Sequence, residues 1–185
     1  IVNTCCFIGD AKEESVNTIL EMAEKKKAGT CKVLIVTGCM AQRYKKEISE
    51  EIPEVDAILG TTSYGYIIKA VKEAEAGRHF EEYKSIDFLP NISGKRMLTT
   101  GGHFAYLKIA EGCDKHCTYC IIPKLRGSYR SVPMEQLVKE AQSLAEQGVK
   151  ELILVAQETT LYGKDLYGKK SLHVLLKELC KIKGI

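Results

Sequence analysis

The sequence contains no apolar run approaching the roughly 20 residues that a membrane helix requires, so no helical membrane span is expected. It also lacks a strong excess of charge. A formal net charge of +3 over 185 residues is too weak to predict nucleic-acid binding by itself. There is no initiator methionine: the chain opens at Ile1, inside what reads as a strand, so a piece of a longer protein is expected, and a targeting sequence would be lost without trace. The composition is not that of a disordered tail. With 45% hydrophobic and 28% charged residues the chain is ordinary globular material, long enough for one large or two small domains with a real core. Small disulfide scaffolds carry more cysteine and less regular helix and strand, so eight cysteines here point to metal chemistry in the cytosol.

What is present is a cysteine triplet. Cys113, Cys117 and Cys120 fall at the spacing C-x3-C-x2-C within eight residues. Three thiolates in so short a loop can converge on one metal centre, yet they supply only three of the four ligands of a closed tetrahedral site. A cubane iron-sulfur cluster suits this set, because three irons are held and the fourth stays open to a ligand that is not protein. The alternative is structural zinc with His116 or a distant cysteine as fourth ligand. Against it, His116 sits beside Cys117 in a tight loop, and the familiar zinc motifs come as two separated pairs.

The rest of the chain reads as α/β. A strand ends at Thr4, and Asp10 with Glu13 has the form of a capping box opening a helix. Val16, Ile19, Leu20 and Ala23 form that helix's core stripe, and Lys25-Lys26-Lys27 form a solvated end favoured by the helix dipole. Val33 to Val36 reads as a central parallel strand covered on both faces, followed by a helix through Tyr44 to Glu51, a strand from Val55 to Leu59 and a helix from Ser63 to Ala76. Ligands gather beyond the carboxyl ends of parallel strands, where Cys5 and Cys39 both lie; they can share a metal centre or be simple buried cysteines. Cys6 is expected to face away from Cys5 on an extended strand, and Cys31 and Cys180 to sit in the core.

Residues 77–103, with Pro90, Asn91, Ser93 and Gly94, read as a linker between a domain at 1–76 and another at 104–185. Phe104 to Ala110 reads as a strand running into the cysteine loop. Pro133 opens a helix with the stripe Met134, Leu137, Val138, Ala141, Leu144 and Ala145, closed by Gly148. A strand from Leu152 to Ala156 and a helix from Ser171 to Ile182 complete two β/α units, the start of a TIM-like barrel with its chemistry at the carboxyl face.

The triplet with an aromatic before its last cysteine, Cys117-Thr118-Tyr119-Cys120, resembles the signature of radical S-adenosylmethionine (SAM) enzymes. Tyr106 to Cys113 before it and Cys120 to Gly127 after it resemble the methylthiotransferases of that group, as do Asn3-Thr4-Cys5-Cys6-Phe7-Ile8 and Thr37-Gly38-Cys39. The run Ala156 to Gly163 is most similar to the branch that modifies an aspartate of a small-subunit ribosomal protein. The resemblance implies an amino-terminal parallel α/β domain followed by the first β/α units of a radical SAM barrel, in a family whose members start earlier and continue through the barrel into a small β domain.

By resemblance, Cys113, Cys117 and Cys120 hold one [4Fe-4S] cluster, whose open iron chelates SAM and whose electron yields a 5'-deoxyadenosyl radical able to take hydrogen from an unactivated carbon. Cys5 and Cys39 match the second and third ligands of a second [4Fe-4S] cluster, the first lying upstream of Ile1, and both clusters face one substrate cavity. Tyr119 matches the aromatic position against the adenine, ordinary packing under the loop being the alternative. Other radical SAM enzymes often carry a Gly-Gly-Glu that meets the SAM amine; it is absent here, and Gln157, Glu158 and Thr159 stand at that place, making Gln157 and Thr159 candidates for SAM contact. Lys115, His116, Lys124, Arg126 and Arg130 form a basic rim suited to SAM's carboxylate or a polyanionic partner, or are isolated surface charges.

The implied function is transfer of a methylthio group to the β-carbon of an aspartate in a ribosomal protein, in the cytoplasm, with an electron donor such as flavodoxin or ferredoxin. A branch that methylthiolates an adenosine in tRNA is the alternative within the family. A non-catalytic iron-sulfur or zinc module is the alternative outside it.

Overall fold

The computed structural model describes residues 1–89, 96–99 and 101–185, which fall into two compact units, Ile1–Pro90 with Lys124–Arg126, and Asn91–Pro123 with Gly127–Ile185. The Pro90, Asn91, Ser93 and Gly94 part of the expected linker lies outside the described residues. No described helix is long and apolar enough to cross a membrane.

In the first unit, elements alternate along the chain: β1 (Val2–Thr4), α1 (Gly9–Lys27), β2 (Ile35–Gly38), α2 (Cys39–Arg43), α3 (Lys45–Glu51), β3 (Ala57–Leu59), α4 (Ile67–Glu75) and β4 (Phe80–Glu82). The four strands pair in parallel in the order β1-β2-β3-β4, Val2 opposite Val36, Ile35 opposite Ala57 and Ala57 opposite Phe80. Parallel neighbours require crossovers, which the helices supply. Ile35, Ala57, Leu59 and Ala70 form the core, with Val33, Tyr66, Ile67, Val71 and Phe80 packed against it.

Several local expectations are corrected. The strand read at Val33 to Val36 begins at Ile35; before it, the Leu34 N–H donates to Asp56 Oδ2 at 2.7 Å and the Leu34 carbonyl accepts the Asp56 N–H at 2.8 Å. Asp10 is not the N-cap of α1; extended Ile8 precedes the helix without a side-chain cap, and Asp10 lies in the first turn, where it still favours the dipole. The buried face of α1 is Ser15, Ile19 and Ala23, while Leu20 is exposed. Of the lysine run at its end, Lys26 pairs with Asp56 at 2.6 Å and Lys27 with Glu54 at 3.1 Å, so two of the three cations tie the helix to the approach to β3. The strand β4 comes from the stretch read as linker; its Glu81 and Glu82 suit a sheet edge, where charge deters further pairing.

Along the rest of the chain the order is β5 (Phe104–Lys108), β6 (Ala110–Glu111), α5 (Ile122–Arg126), whose Lys124–Arg126 belong to the first unit, β7 (Arg130–Ser131), α6 (Met134–Glu146), β8 (Glu151–Val155), α7 (Lys164–Tyr167) and α8 (Leu172–Leu179). β5 and β8 are parallel, from Phe104 opposite Glu151 to Lys108 opposite Val155, with α6 crossing between them, as a β/α barrel unit requires. Leu137 and Ala141 of α6 pack with Leu107, Ile109, Tyr162, Leu175 and Leu179 in one core. Leu144 of the same stripe is buried beside Ala105 and Val149. Pro133 is the N-cap of α6 and the helix starts one residue later; Gly148 stands one past the C-cap Gln147, in the left-handed region. Cys180 is exposed just beyond α8, not in the core, since the stripe ends at Leu179. Cys31 is half-buried.

Candidate metal centre and adjoining cleft

The cysteine loop leaves the sheet through a short antiparallel pair, β6 with β7, in which Ala110 lies opposite Ser131 and Glu111 opposite Arg130. This pairing folds the chain back on itself and sets the loop's two ends side by side. Gly112 sits at the crossing with φ 79°, and a Cβ there would lie 2.1 Å from the Ser128 carbonyl oxygen, so only glycine fits. Cys113 follows, buried, its N–H donating to the Gly127 carbonyl at 3.2 Å. Cys117 is exposed and Cys120 half-buried; the Cys120 N–H donates to the Cys117 carbonyl at 2.9 Å, a tight turn entered through His116 at φ 46°. Among the described residues no three His, Cys, Asp or Glu side chains are gathered as metal ligands.

Three contacts hold this loop. The Gln157 side-chain oxygen accepts the Gly112 N–H at 2.8 Å, Asp114 Oδ1 accepts the Tyr129 N–H at 2.9 Å, and Lys115 forms an ion pair with Glu158. The Lys115 ammonium, with the hydroxyl and N–H of Thr160, holds the Glu158 carboxyl down to about 2. Gln157 thus carries a structural bond through its oxygen, which leaves its amide nitrogen as the donor toward a ligand. Thr159 opens a single 3-10 turn, Thr159–Leu161, with Glu158 at its N-cap. Tyr119 stands 89% exposed at the loop tip, not packed beneath it.

Beside the loop, Asp114, Lys115, Tyr129, Leu161, Lys164 and Asp165 line a cleft of about 330 Å³. Tyr129 is buried, and burial pushes its hydroxyl up to about 12, so it is a neutral donor at physiological pH. Asp165 accepts from both the N–H and the hydroxyl of Ser131, at 2.7 and 2.6 Å. Sequence inspection missed Asp114, Tyr129, Glu158 and Asp165 as organising groups. Asp114 and Glu158 were visible as acids in loops after strands, but their partners, 15 residues away in one case and on a different loop in the other, follow only from the fold.

In the first unit, Cys5 is exposed just past β1, and Cys39 is buried as the first residue of α2, directly past β2. Cys6 is buried beside exposed Cys5, as expected of neighbours that face apart. Burial and then the neighbouring Cys39 push the Cys6 thiol up, against the pull of Arg43. Chemically the chain therefore offers two sets of soft thiols, each beyond the carboxyl ends of parallel strands.

Comparison with known proteins agrees with this division. The model of the Radical SAM superfamily matches residues 107–185, and that of Uncharacterized protein family UPF0004 matches residues 1–60. The chain is 66% identical over 185 residues to a protein of Lachnoclostridium phytofermentans named ribosomal protein uS12 methylthiotransferase RimO, covering 100% of this chain and 42% of that one. It is 56% identical over 184 residues to the protein of that name from Clostridioides difficile, covering 41% of it, and 57% identical over 187 residues to one from Clostridium botulinum, covering 42%. The chain thus spans about two-fifths of the length of these relatives.

Proposed function

From a chain that joins a UPF0004 match to a radical SAM match and resembles RimO along its whole length, we propose a radical SAM methylthiotransferase that adds a methylthio group to the β-carbon of an aspartate in ribosomal protein uS12. The observation that carries this is the triplet Cys113, Cys117 and Cys120 in a loop that follows the first strand of a β/α unit through the short strand β6. The donor set fits an iron-sulfur cluster: three thiols, no fourth cysteine in the loop, and one position left for substrate chemistry. Cys113, Cys117 and Cys120 would hold a [4Fe-4S] cluster, and Cys5 and Cys39 would supply two ligands to a second one.

With SAM, such a cluster supplies one-electron cleavage of a sulfonium carbon-sulfur bond, which an unactivated carbon requires because acid-base catalysis has no purchase on it. The chain's own residues orient and shield. Gly112 and the Gln157 bond fix where Cys113 emerges. The Asp114–Tyr129 bond fixes the loop against its own stem, and the Lys115–Glu158 pair fixes it to the loop after β8. The Gln157 amide nitrogen and the Thr159 hydroxyl offer donors toward SAM's carboxylate, and exposed Tyr119 offers its ring to the adenine. A small electron donor such as flavodoxin or ferredoxin completes the reaction, in the cytoplasm, where thiols stay reduced.

The test uses the whole protein, reconstituted without oxygen and given SAM, reductant, uS12 and tRNA. One methylthio group gained on a single uS12 aspartate, seen by mass spectrometry, is the expected result. Unmodified uS12 beside methylthiolated tRNA would overturn the substrate assignment.

A further inference from the structure

The connection from β8 to α8, residues 156–171, is long for a β/α loop, and its stretch Lys164 to Lys170 is exposed throughout. It is nevertheless firmly built. Gly163 and Gly168, both at positive φ, bracket α7; the Tyr167 N–H donates to the Gly163 carbonyl at 2.7 Å, and the Ser171 N–H to the Tyr162 carbonyl at 2.7 Å. The Tyr167 hydroxyl accepts the Met134 N–H at 2.9 Å, and both oxygens of Asp165 are turned inward to Ser131. Asp165 is therefore engaged, while among the described residues Lys164, Lys169 and Lys170 have no carboxylate partner. Leu166 and Tyr167, 46% and 39% exposed, stand between these cations.

The surrounding charge has the same sign. The second unit carries 13 Lys and Arg against nine Asp and Glu, the first 14 against 15, so the chain's cationic excess resides in the unit that bears this loop. Lys164 also lines the cleft beside Lys115, which makes the surface continuous with the mouth of the candidate site.

We propose that Lys164, Lys169 and Lys170, with Tyr167 and Leu166, form a docking surface for the phosphate backbone of RNA. Lysine binds phosphate as a compact point charge, and three such charges along one short loop match phosphates spaced along a strand. A preordered loop loses little entropy on binding, and an exposed ring between cations gives an unstacked base a face to lie on. This rests on and deepens the uS12 reading, since a ribosomal protein is presented beside RNA. The surface itself needs neither iron nor SAM.

The experiment is fluorescence anisotropy of the 185-residue chain with a labelled 20-nucleotide single-stranded RNA over a range of salt concentrations. The triple variant Lys164→Ala/Lys169→Ala/Lys170→Ala is expected to bind at least about tenfold more weakly and to flatten the salt dependence by roughly two units of slope, at about 0.7 for each phosphate that a lysine no longer neutralises. A control removing the same charge elsewhere in the unit, Lys139→Ala/Lys150→Ala/Lys183→Ala, is expected to stay within about twofold. Circular dichroism confirms that both variants fold. Equal weakening by the two triples, absence of RNA binding, or displacement of the RNA by polyglutamate as readily as by unlabelled RNA would each overturn the proposal. Methylthio transfer to uS12 is read separately, so failure of either result leaves the other standing.

Discussion

Gly112 is the residue on which the cysteine loop hinges. An alanine there meets the Ser128 carbonyl at 2.1 Å and must hold φ 79°, so the β6–β7 crossing has to open. Gly112→Ala should leave the first unit folded and release Cys113 from its burial. In the metal-free chain, alkylation followed by mass spectrometry should show Cys117 reacting first and Cys113 slowly, as their exposure requires, and in Gly112→Ala Cys113 should catch up. Unchanged protection of Cys113 in the variant would refute the hinge.

The Lys115–Glu158 pair is a second contact that a single substitution can test. A carboxyl depressed to about 2 from an ordinary 4.5 stabilises the fold fully above the ordinary value, and that contribution disappears as pH falls through about 2. A carbon NMR titration of Glu158 should therefore show a midpoint near 2, and Lys115→Ala should move it up toward the ordinary value, because the ammonium is the first cause of the depression. A midpoint unaltered by that substitution would assign the shift to Thr160 alone.

At the scale of elements, what could be read in advance divides by length. The core stripe of α6 was legible because Leu137, Ala141 and Leu144 repeat at helical spacing over 13 residues, and their burial follows from periodicity alone. Short elements were not legible. The two-residue strands β6 and β7 contain no period, and what defines them is pairing between Ala110 and Ser131 across a 20-residue excursion. The strand β4, Phe-Glu-Glu, reads as polar connection until the Phe80 N–H is seen to reach the Asp56 carbonyl at 3.0 Å. Within the site, the cysteines could be named from spacing, while their anchors Asp114 and Glu158 could not, since a side-chain contact between separate loops leaves no trace in either one.

Energetically, α6 should be the element whose truncation is felt most. Leu137 is fully buried between the strands and α8, so Leu137→Ala should cost about 2–5 kcal/mol in transfer and cavity terms. Urea unfolding followed by circular dichroism would measure it. A loss below about 1 kcal/mol would mean that the second unit's core relaxes around the gap.

At the scale of the molecule, two parallel α/β arrangements each bring thiols to the carboxyl ends of their strands, the second being the proposed reaction centre. The most direct measurement is anaerobic reconstitution of the chain with iron and sulfide, counting iron and following release of 5'-deoxyadenosine from SAM under reductant, for the wild type and for Cys117→Ala. About four irons from the loop cluster, or about eight if the first unit also fills, should accompany SAM cleavage in the wild type, and Cys117→Ala should abolish cleavage with the first unit still folded. Zinc in place of iron with no cleavage, or 5'-deoxyadenosine formed undiminished by Cys117→Ala, would contradict it.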